Sequence, residues 1–202
     1  MKILNLYCGI GGNRKLWNEV LDNIQVTAVD NNEFISQAYF DRFPSDDVIV
    51  ADSMEYLKNN YKKFDFIWCS PPCQSHSKIR QCTINVNNIS AVYPDMSLYQ
   101  IIIFLKHNFK GKFVVENVKP YYEPLIKPNC EIDRHFYWSN FHIPSIKVQK
   151  DTIIEHTKLS DCVDFDISKY KNIKRKQQVI RNQVNYKVGM HIFKYSLQKS
   201  LF

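Results

Sequence analysis

An apolar strand running straight into a cluster of glycines constrains this chain more than any other feature. Lys2 to Tyr7 alternates in polarity and is rich in β-forming side chains, and Cys8-Gly9-Ile10-Gly11-Gly12-Asn13 follows without a break. Glycine lets the backbone turn tightly and lets a ligand approach with no Cβ in the way. Arg14 to Leu21 then takes helical spacing, with Leu16 and Val20 four apart and Trp17 and Leu21 four apart. Strand, glycine turn and helix in this order predict the first unit of an α/β sheet with a nucleotide-type ligand at the strand's carboxyl end. A plain tight turn is the simpler reading of the glycines alone.

The rest of the chain repeats the unit. Ile24 to Val29 reads as a second strand closing on Asp30, about 20 residues past the glycines, where a carboxylate suits two ribose hydroxyls. Asn31 to Phe43 reads as a helix and Val48 to Ala51 as a short third strand. Asp52 and Ser53 start another helix, and Glu55 sits three residues on, as in a capping box. Phe64 to Cys69 is a buried fourth strand. Gln74 to Pro94 is polar and rich in Asn and Ser, which predicts a long functional loop. Met96 to His107 is an apolar helix, and Lys112 to Val115 is a fifth strand that ends just before Glu116. His135 to Phe141 is an aromatic-rich strand. From Pro144 to about Lys176 periodicity weakens, and Val179 to Leu197 reads as one helix. The expected fold is therefore α/β, a three-layer Rossmann-like arrangement of a mixed, mostly parallel sheet with helices on both faces.

Two reactive side chains fall at carboxyl ends of strands, the edge where ligands bind in open α/β sheets. Ser70-Pro71-Pro72-Cys73-Gln74 follows strand four, and the two prolines stop regular structure and hold a cysteine rigidly at the mouth of a polar loop. Glu116-Asn117-Val118 follows strand five. Taken singly, Cys73 is a small gap-filling residue and Glu116 a solvated carboxylate or helix cap. Together they are a candidate nucleophile and a candidate acid.

With those segments in place, the chain resembles the cytosine-C5 DNA methyltransferases. Asn5-Leu6-Tyr7-Cys8-Gly9-Ile10-Gly11-Gly12 is similar to that family's first motif, which cradles S-adenosylmethionine. Ala28-Val29-Asp30 is similar to the second, with Asp30 in place of the usual glutamate. Asp52 falls where the family contacts adenine, Pro71-Pro72-Cys73-Gln74 matches the nucleophile motif, and Glu116-Asn117-Val118 matches the motif of the catalytic glutamate. Arg181-Asn182-Gln183-Val184 resembles the last motif, which folds back onto the cofactor. The resemblance covers residues 1 to about 140 and about 178 to 197. It implies catalytic roles for Cys73, Glu116 and Arg134. It implies an S-adenosylmethionine pocket formed by Tyr7, Gly9, Ile10, Gly11, Gly12, Asp30, Asn31, Asp52, Ser53, Pro72, Asn182 and Val184. Nucleic-acid contacts would come from Gln74, Ser77, Lys78, Arg80, Lys174, Arg175 and Lys176. Cationic Lys78, Arg80 or Arg134 would favour the Cys73 thiolate.

Three departures stand out. The phenylalanine usual after Pro-Cys-Gln is His76 here. The family's Gln-x-Arg-x-Arg falls on Glu131-Ile132-Asp133-Arg134-His135, with one arginine, one residue out of register. Fewer than 40 residues separate Phe141 from Val179, where family members that read a defined sequence carry a much larger recognition domain. The expected organisation is a catalytic domain of residues 1–141 and 178–202, with 142–177 as a reduced recognition segment. A partner protein that supplies sequence recognition fits the same shortage.

Charge points to the same ligand. Of 27 basic residues, seven fall between Ile167 and Lys187, a stretch with no acidic residue, and the other 20 equal the 20 acidic residues in number. The formal excess of +7 thus resides in one segment, the footprint of a polyanion partner or, more plainly, a solvated face. Six cysteines, Cys8, Cys69, Cys73, Cys82, Cys130 and Cys162, match no zinc spacing and read as free thiols of a reducing, cytoplasmic compartment. No apolar run is long enough for a membrane span. The expected activity is methyl transfer to C5 of cytosine in DNA. Alternatives are the same chemistry on RNA, a catalytically weak nucleic-acid-binding protein on this scaffold, or a dinucleotide oxidoreductase, which leaves Pro-Pro-Cys unexplained.

Overall fold

The computed structural model describes residues 1–87, 90–147 and 165–198 of the 202. Its centre is a seven-stranded sheet in the order β3-β2-β1-β4-β5-β7-β6. The strands are β1 (Lys2–Leu6), β2 (Gln25–Asp30), β3 (Asp47–Val50), β4 (Phe66–Cys69), β5 (Lys112–Val118), β6 (Cys130–Ile132) and β7 (His135–Ser139). The first five run parallel, while β7 lies antiparallel to β5 and β6 antiparallel to β7. β1 and β4 are adjacent, with β2 and β5 on their outer sides, so the chain reverses its direction of travel across the sheet between them. That reversal opens a crevice at the carboxyl ends of β1 and β4.

Helices cover both faces, as the alternation of strand side chains requires. Trp17 of α1 (Trp17–Val20) and Val188, Ile192 and Phe193 of α7 (Tyr186–Ser196) pack with Ile3, Val26, Phe66 and Val114 on one face. Leu57 of α3 (Ser53–Asn60) and Leu98, Ile101, Ile102 and Leu105 of α5 (Ser97–Asn108) pack with Leu4, Val29, Ile67 and Val115 on the other. α2 (Glu33–Arg42) sets Tyr39 against Ala28 and Cys8. Asn32 caps α2 by accepting from Phe34 and Ile35 amides, and Asp52 caps α3 by accepting from the Glu55 amide at 2.8 Å. The reciprocal arm of the expected capping box is not made this way, because the Glu55 carboxylate accepts from Asn59 instead.

Several boundaries differ from the sequence reading. Arg14 to Leu16 is a string of tight turns rather than helix, with Arg14 and Trp17 amides bonded three residues back. The cause is Arg14 itself. Its guanidinium is buried against the Asp46 carboxylate in two hydrogen bonds of 2.8 and 2.9 Å, and Asp46 also accepts from Tyr39. The expected loop 74–94 contains a helix, α4 (Lys78–Asn87). β5 runs on through Val118, so Glu116 lies inside it, paired with Tyr137 of β7. The single C-terminal helix divides into α6 (Lys176–Arg181) and α7, with Asn185 capping the second by accepting from Lys187. Residues 148–164 of the expected recognition segment, Cys162 among them, lie outside the described residues. Beyond them, Ile167 and Ile173 are buried with Ile10, Ala38 and Ile180, so this stretch packs onto the first glycine turn. No described helix is long and apolar enough to cross a membrane.

Two glycines set the seam between the ends of the chain. A Cβ on Gly12 would lie 2.6 Å from the Val184 carbonyl oxygen, and one on Gly189 would lie 2.2 Å from that of Asn13. Gly189 is inside α7, where alanine would ordinarily be favoured by about 1 kcal/mol. Here the added methyl meets backbone that cannot swing aside. Gly189→Ala is therefore expected to destabilise the fold by roughly 1–3 kcal/mol, read from the urea midpoint; a more stable variant would contradict this packing.

Candidate active site

The crevice predicted by the strand order is a cleft of about 1290 Å³. That exceeds the ~300–1,000 Å³ of a single small-ligand pocket and leaves room for two ligands side by side. One end is built from β1 and β2. Tyr7 leaves β1 with φ +52°, held by its amide donating to Ser53 Oγ at 3.3 Å, and Gly9 and Gly11 follow at φ +52° and +75°. A Cβ on Gly9 would meet nothing within 4 Å, so the bare backbone faces open cleft. Asp30 draws the turn in, its carboxylate accepting from the amides of Gly9 at 3.2 Å and Asn32 at 3.0 Å. Burial raises its pKa, opposed by those backbone donors. Ile10, Asn31, Ile35 and, from the C-terminal segment, Asn182, Gln183 and Val184 complete this end.

The other end lies between β4 and β5. Pro71, Pro72, Cys73 and Gln74 leave β4 and line the cleft opposite Glu116 of β5. Glu116 is 7% exposed, and its Oε1 lies 3.6 Å from His135 Nε2. Asn117, fully inside, donates through Nδ2 to the Pro71 carbonyl at 3.0 Å and ties the cysteine loop to β5. Burial and the Glu116 carboxylate push the Cys73 thiol up to about 11, with a smaller opposing pull from Arg134. Of the cations expected to ease its ionisation, Arg134 therefore acts in the right direction but is outweighed. Burial and negative charge act on the resting thiol more strongly than the cations near it.

Cations ring the opening. Lys78, Arg80, Lys119, Arg134, Arg175, Lys176 and Arg181 line the cleft, with Asp30 and Glu116 as its carboxylates. Arg134 is exposed in the turn between β6 and β7, where Asp133 takes φ +54°. Lys119 is paired with Glu131, and Lys176 donates to the Ser168 carbonyl. Arg175 starts α6 in a left-handed conformation, φ +54°.

The structure thus brings together most of the residues singled out from sequence. Cys73, Glu116, Arg134, Tyr7, Gly9, Ile10, Gly12, Asp30, Asn31, Pro72, Asn182, Val184, Gln74, Ser77, Lys78, Arg80, Arg175 and Lys176 all line one cleft. Four lie behind or beside it. Gly11 backs onto Tyr39 and Phe43, Asp52 caps α3, Ser53 is buried beneath Tyr7, and Lys174 is outside the lining. Sequence reasoning missed His135 beside Glu116 and the Asn117 tie, since neither position follows from spacing or periodicity. Cys8, Cys69, Cys73, Cys82 and Cys130 are free thiols, and among the described residues no group of His, Cys, Asp and Glu is arranged to hold a metal.

The family model for C-5 cytosine-specific DNA methylase matches residues 1–124, which include the glycine turn, Cys73 and Glu116. A tRNA (cytosine(38)-C(5))-methyltransferase of Spodoptera frugiperda is 38% identical over 80 residues, covering 38% of this chain and 24% of that protein. Among solved structures, a variant of Spodoptera frugiperda DNMT2 is 28% identical with a TM-score of 0.43, covering 58% of this chain and 35% of that one. Entamoeba histolytica methyltransferase EhMeth is 15% identical with a TM-score of 0.45, covering 83% and 61%. The chain spans about a quarter of the curated relative and about a third of the first of these solved structures.

Proposed function

Since this chain belongs to the C-5 cytosine-specific DNA methylase family, we propose that it transfers a methyl group from S-adenosylmethionine to C5 of a cytosine in DNA. The observation that carries the proposal is the convergence of Cys73 and Glu116, from two neighbouring strands, at one end of a cleft whose other end is a bare glycine turn. The glycine end fits the methyl donor. Tyr7, Gly9, Ile10, Asp30, Asn31 and Val184 would hold it, with Asp52 and Ser53 supporting the turn from behind. Once bound, S-adenosylmethionine supplies an electrophilic methyl group.

The chain's own residues supply the activation. C5 of cytosine is too weak a nucleophile unaided. The Cys73 thiolate adds to C6, which breaks the ring's aromaticity and moves electron density to C5. The Glu116 carboxyl at N3 stabilises the charge that develops on the ring. After methylation a base takes the C5 proton, the C5–H electron pair re-forms the C5–C6 double bond, and the Cys73 sulfur leaves as the thiolate. C6 is hidden within a duplex, so the base must leave the stack. Gln74, Ser77, Lys78, Arg80, Lys174, Arg175 and Lys176 are proposed to hold the backbone of the nucleic acid, with Arg134 beside the base. Phosphate contacts of this kind position without specifying sequence, in keeping with a catalytic unit of residues 1–141 and 178–202 and a short intervening segment.

RNA is the second reading, favoured by the relative that is named for a tRNA substrate. Labelled cofactor offered with duplex DNA, single-stranded DNA and tRNA separates the two. Label in DNA at 5-methylcytosine is the expected outcome. Label in tRNA alone would replace DNA by RNA, and label in none would overturn the enzyme reading.

A further inference from the structure

His76, which replaces an apolar ring in the family pattern, is fully buried three residues beyond Cys73. Its backbone and its ring both tie the cysteine turn to the chain that leaves β5. Its amide donates to the Cys73 carbonyl at 3.1 Å, closing a turn from Cys73 to His76, and its carbonyl accepts from the Tyr121 amide at 3.1 Å. Ser77 forms an isolated bridge with Pro120. The ring makes a third connection, with Nδ1 2.6 Å from the Tyr122 hydroxyl. The contacts run on: the Tyr122 and Tyr99 hydroxyls lie 3.4 Å apart, and the Tyr99 oxygen accepts from the Leu125 amide at 3.2 Å. The other ring nitrogen, Nε2, is buried and makes no hydrogen bond. Burial favours the neutral form, lowering the pKa against an opposing pull from Asp95, and burial and Tyr99 keep the Tyr122 phenol protonated.

A histidine that leaves one nitrogen orphaned in the interior costs stability. Phenylalanine would fill the space without that cost, so the Nδ1–Tyr122 hydrogen bond is the feature that distinguishes this side chain. Asn117 ties the loop to β5 upstream of Cys73; His76 ties it downstream, to the segment that leaves β5.

We propose that His76 is a positioning residue: through Tyr122 and Tyr99 it clamps the Cys73 turn to the chain leaving β5 and so sets the nucleophile opposite Glu116. The proposal rests on Cys73 being the nucleophile of the reaction above. Its signature is a pair of changes of opposite sign. A loosened turn admits water to a thiol held near 11 by burial and a neighbouring carboxylate, so the thiol ionises more readily while it loses its aim. With nucleophilicity falling partly in step, alkylation should rise by roughly tenfold, while methyl transfer slows.

The test measures iodoacetamide alkylation of each cysteine at pH 8 by peptide mapping, beside turnover number and KM for S-adenosylmethionine. In His76→Ala, and to a lesser degree in Tyr122→Phe, which removes a single oxygen, Cys73 alkylates about tenfold faster. In both, the turnover number falls about tenfold with KM unchanged, and buried Cys69 stays protected. His76→Asn, which keeps a hydrogen-bonding atom near the Nδ1 position, recovers most of both properties. Cys73 alkylation at the wild-type rate in both His76→Ala and Tyr122→Phe would overturn the proposal. So would loss of Cys69 protection in both, or an asparagine variant no better than alanine. If the wild-type protein methylates no substrate, the functional reading fails while the alkylation series still decides whether His76 holds the turn.

Discussion

Cys73→Ala abolishes methyl transfer, with turnover expected to fall by roughly 10⁴ or more, because without sulfur addition at C6 the ring carbon that must accept the methyl stays unreactive. The variant should fold normally. Cys73 is only partly buried, its neighbours Pro71 and Pro72 fix the loop, and the Asn117 tie reaches the backbone of Pro71 rather than the cysteine. The wild-type pH profile provides the companion measurement. With the thiol held near 11, the free protein at pH 8 carries thiolate in only ~10⁻³ of molecules. Raising the pH frees the nucleophile, so kcat/KM should climb about tenfold per pH unit between 7 and 9. Arg134 pulls the thiol down, and Arg134→Ala should move that limb to higher pH. A flat profile in the wild-type protein would show that Cys73 ionisation does not govern the free enzyme.

Glu116→Gln is expected to cost roughly 10²–10³ in turnover, the loss typical when a positioned acid or a charge-stabilising group is removed from a closed site. The substitution preserves shape within β5 and the register with Tyr137, so the strand should be undisturbed. It also removes the carboxylate that raises the Cys73 thiol. Cys73 should therefore react faster with iodoacetamide in Glu116→Gln even as methyl transfer slows. Slower alkylation, or unchanged turnover, would remove Glu116 from the proposed chemistry.

How far the sequence revealed this arrangement depended on what each residue buries. β4 is buried throughout and reads as an apolar run, and β1 and β2 carry enough buried β-forming side chains to read as strands; their positions were legible to within two residues. α5 buries five of its side chains and was equally plain. α4 was missed because its few apolar residues are set among Lys, Arg, Gln, Thr and Asn, a composition that reads as loop, and Ile79 in its first turn lies at the surface. The α1 region was misread because Leu16, Trp17, Val20 and Leu21 do have helical spacing, while the tertiary demand of the Arg14–Asp46 pair holds the preceding residues in turns. The break between α6 and α7 carries a cap, Asn185, that a single helix would not need.

The site followed the same rule. Cys73 and Glu116 were visible because one follows the end of β4 and the other lies toward the carboxyl end of its parallel neighbour β5, whose register brings Cys69 beside Val115. The backbone role of Asp30 could not be read from its position, since a carboxylate that bonds two amides occupies the same place as one that bonds a ribose. Nor could the direction of the Cys73 shift. Nearby lysines and arginines were apparent in the sequence, whereas burial and the approach of Glu116 belong to the folded chain. His135 and the Tyr122–Tyr99 chain come from segments far from Cys73 in sequence and meet it only through the sheet.

Covalent capture tests the central claim most directly. The protein is incubated with S-adenosylmethionine and oligonucleotides, DNA and RNA, that carry 5-fluorocytosine, whose fluorine blocks the final loss of the C5 substituent. The predicted result is a denaturation-resistant complex whose cross-linked peptide maps to Cys73 and which is absent in Cys73→Ala. No complex with either nucleic acid, or one that persists in Cys73→Ala, would contradict the account.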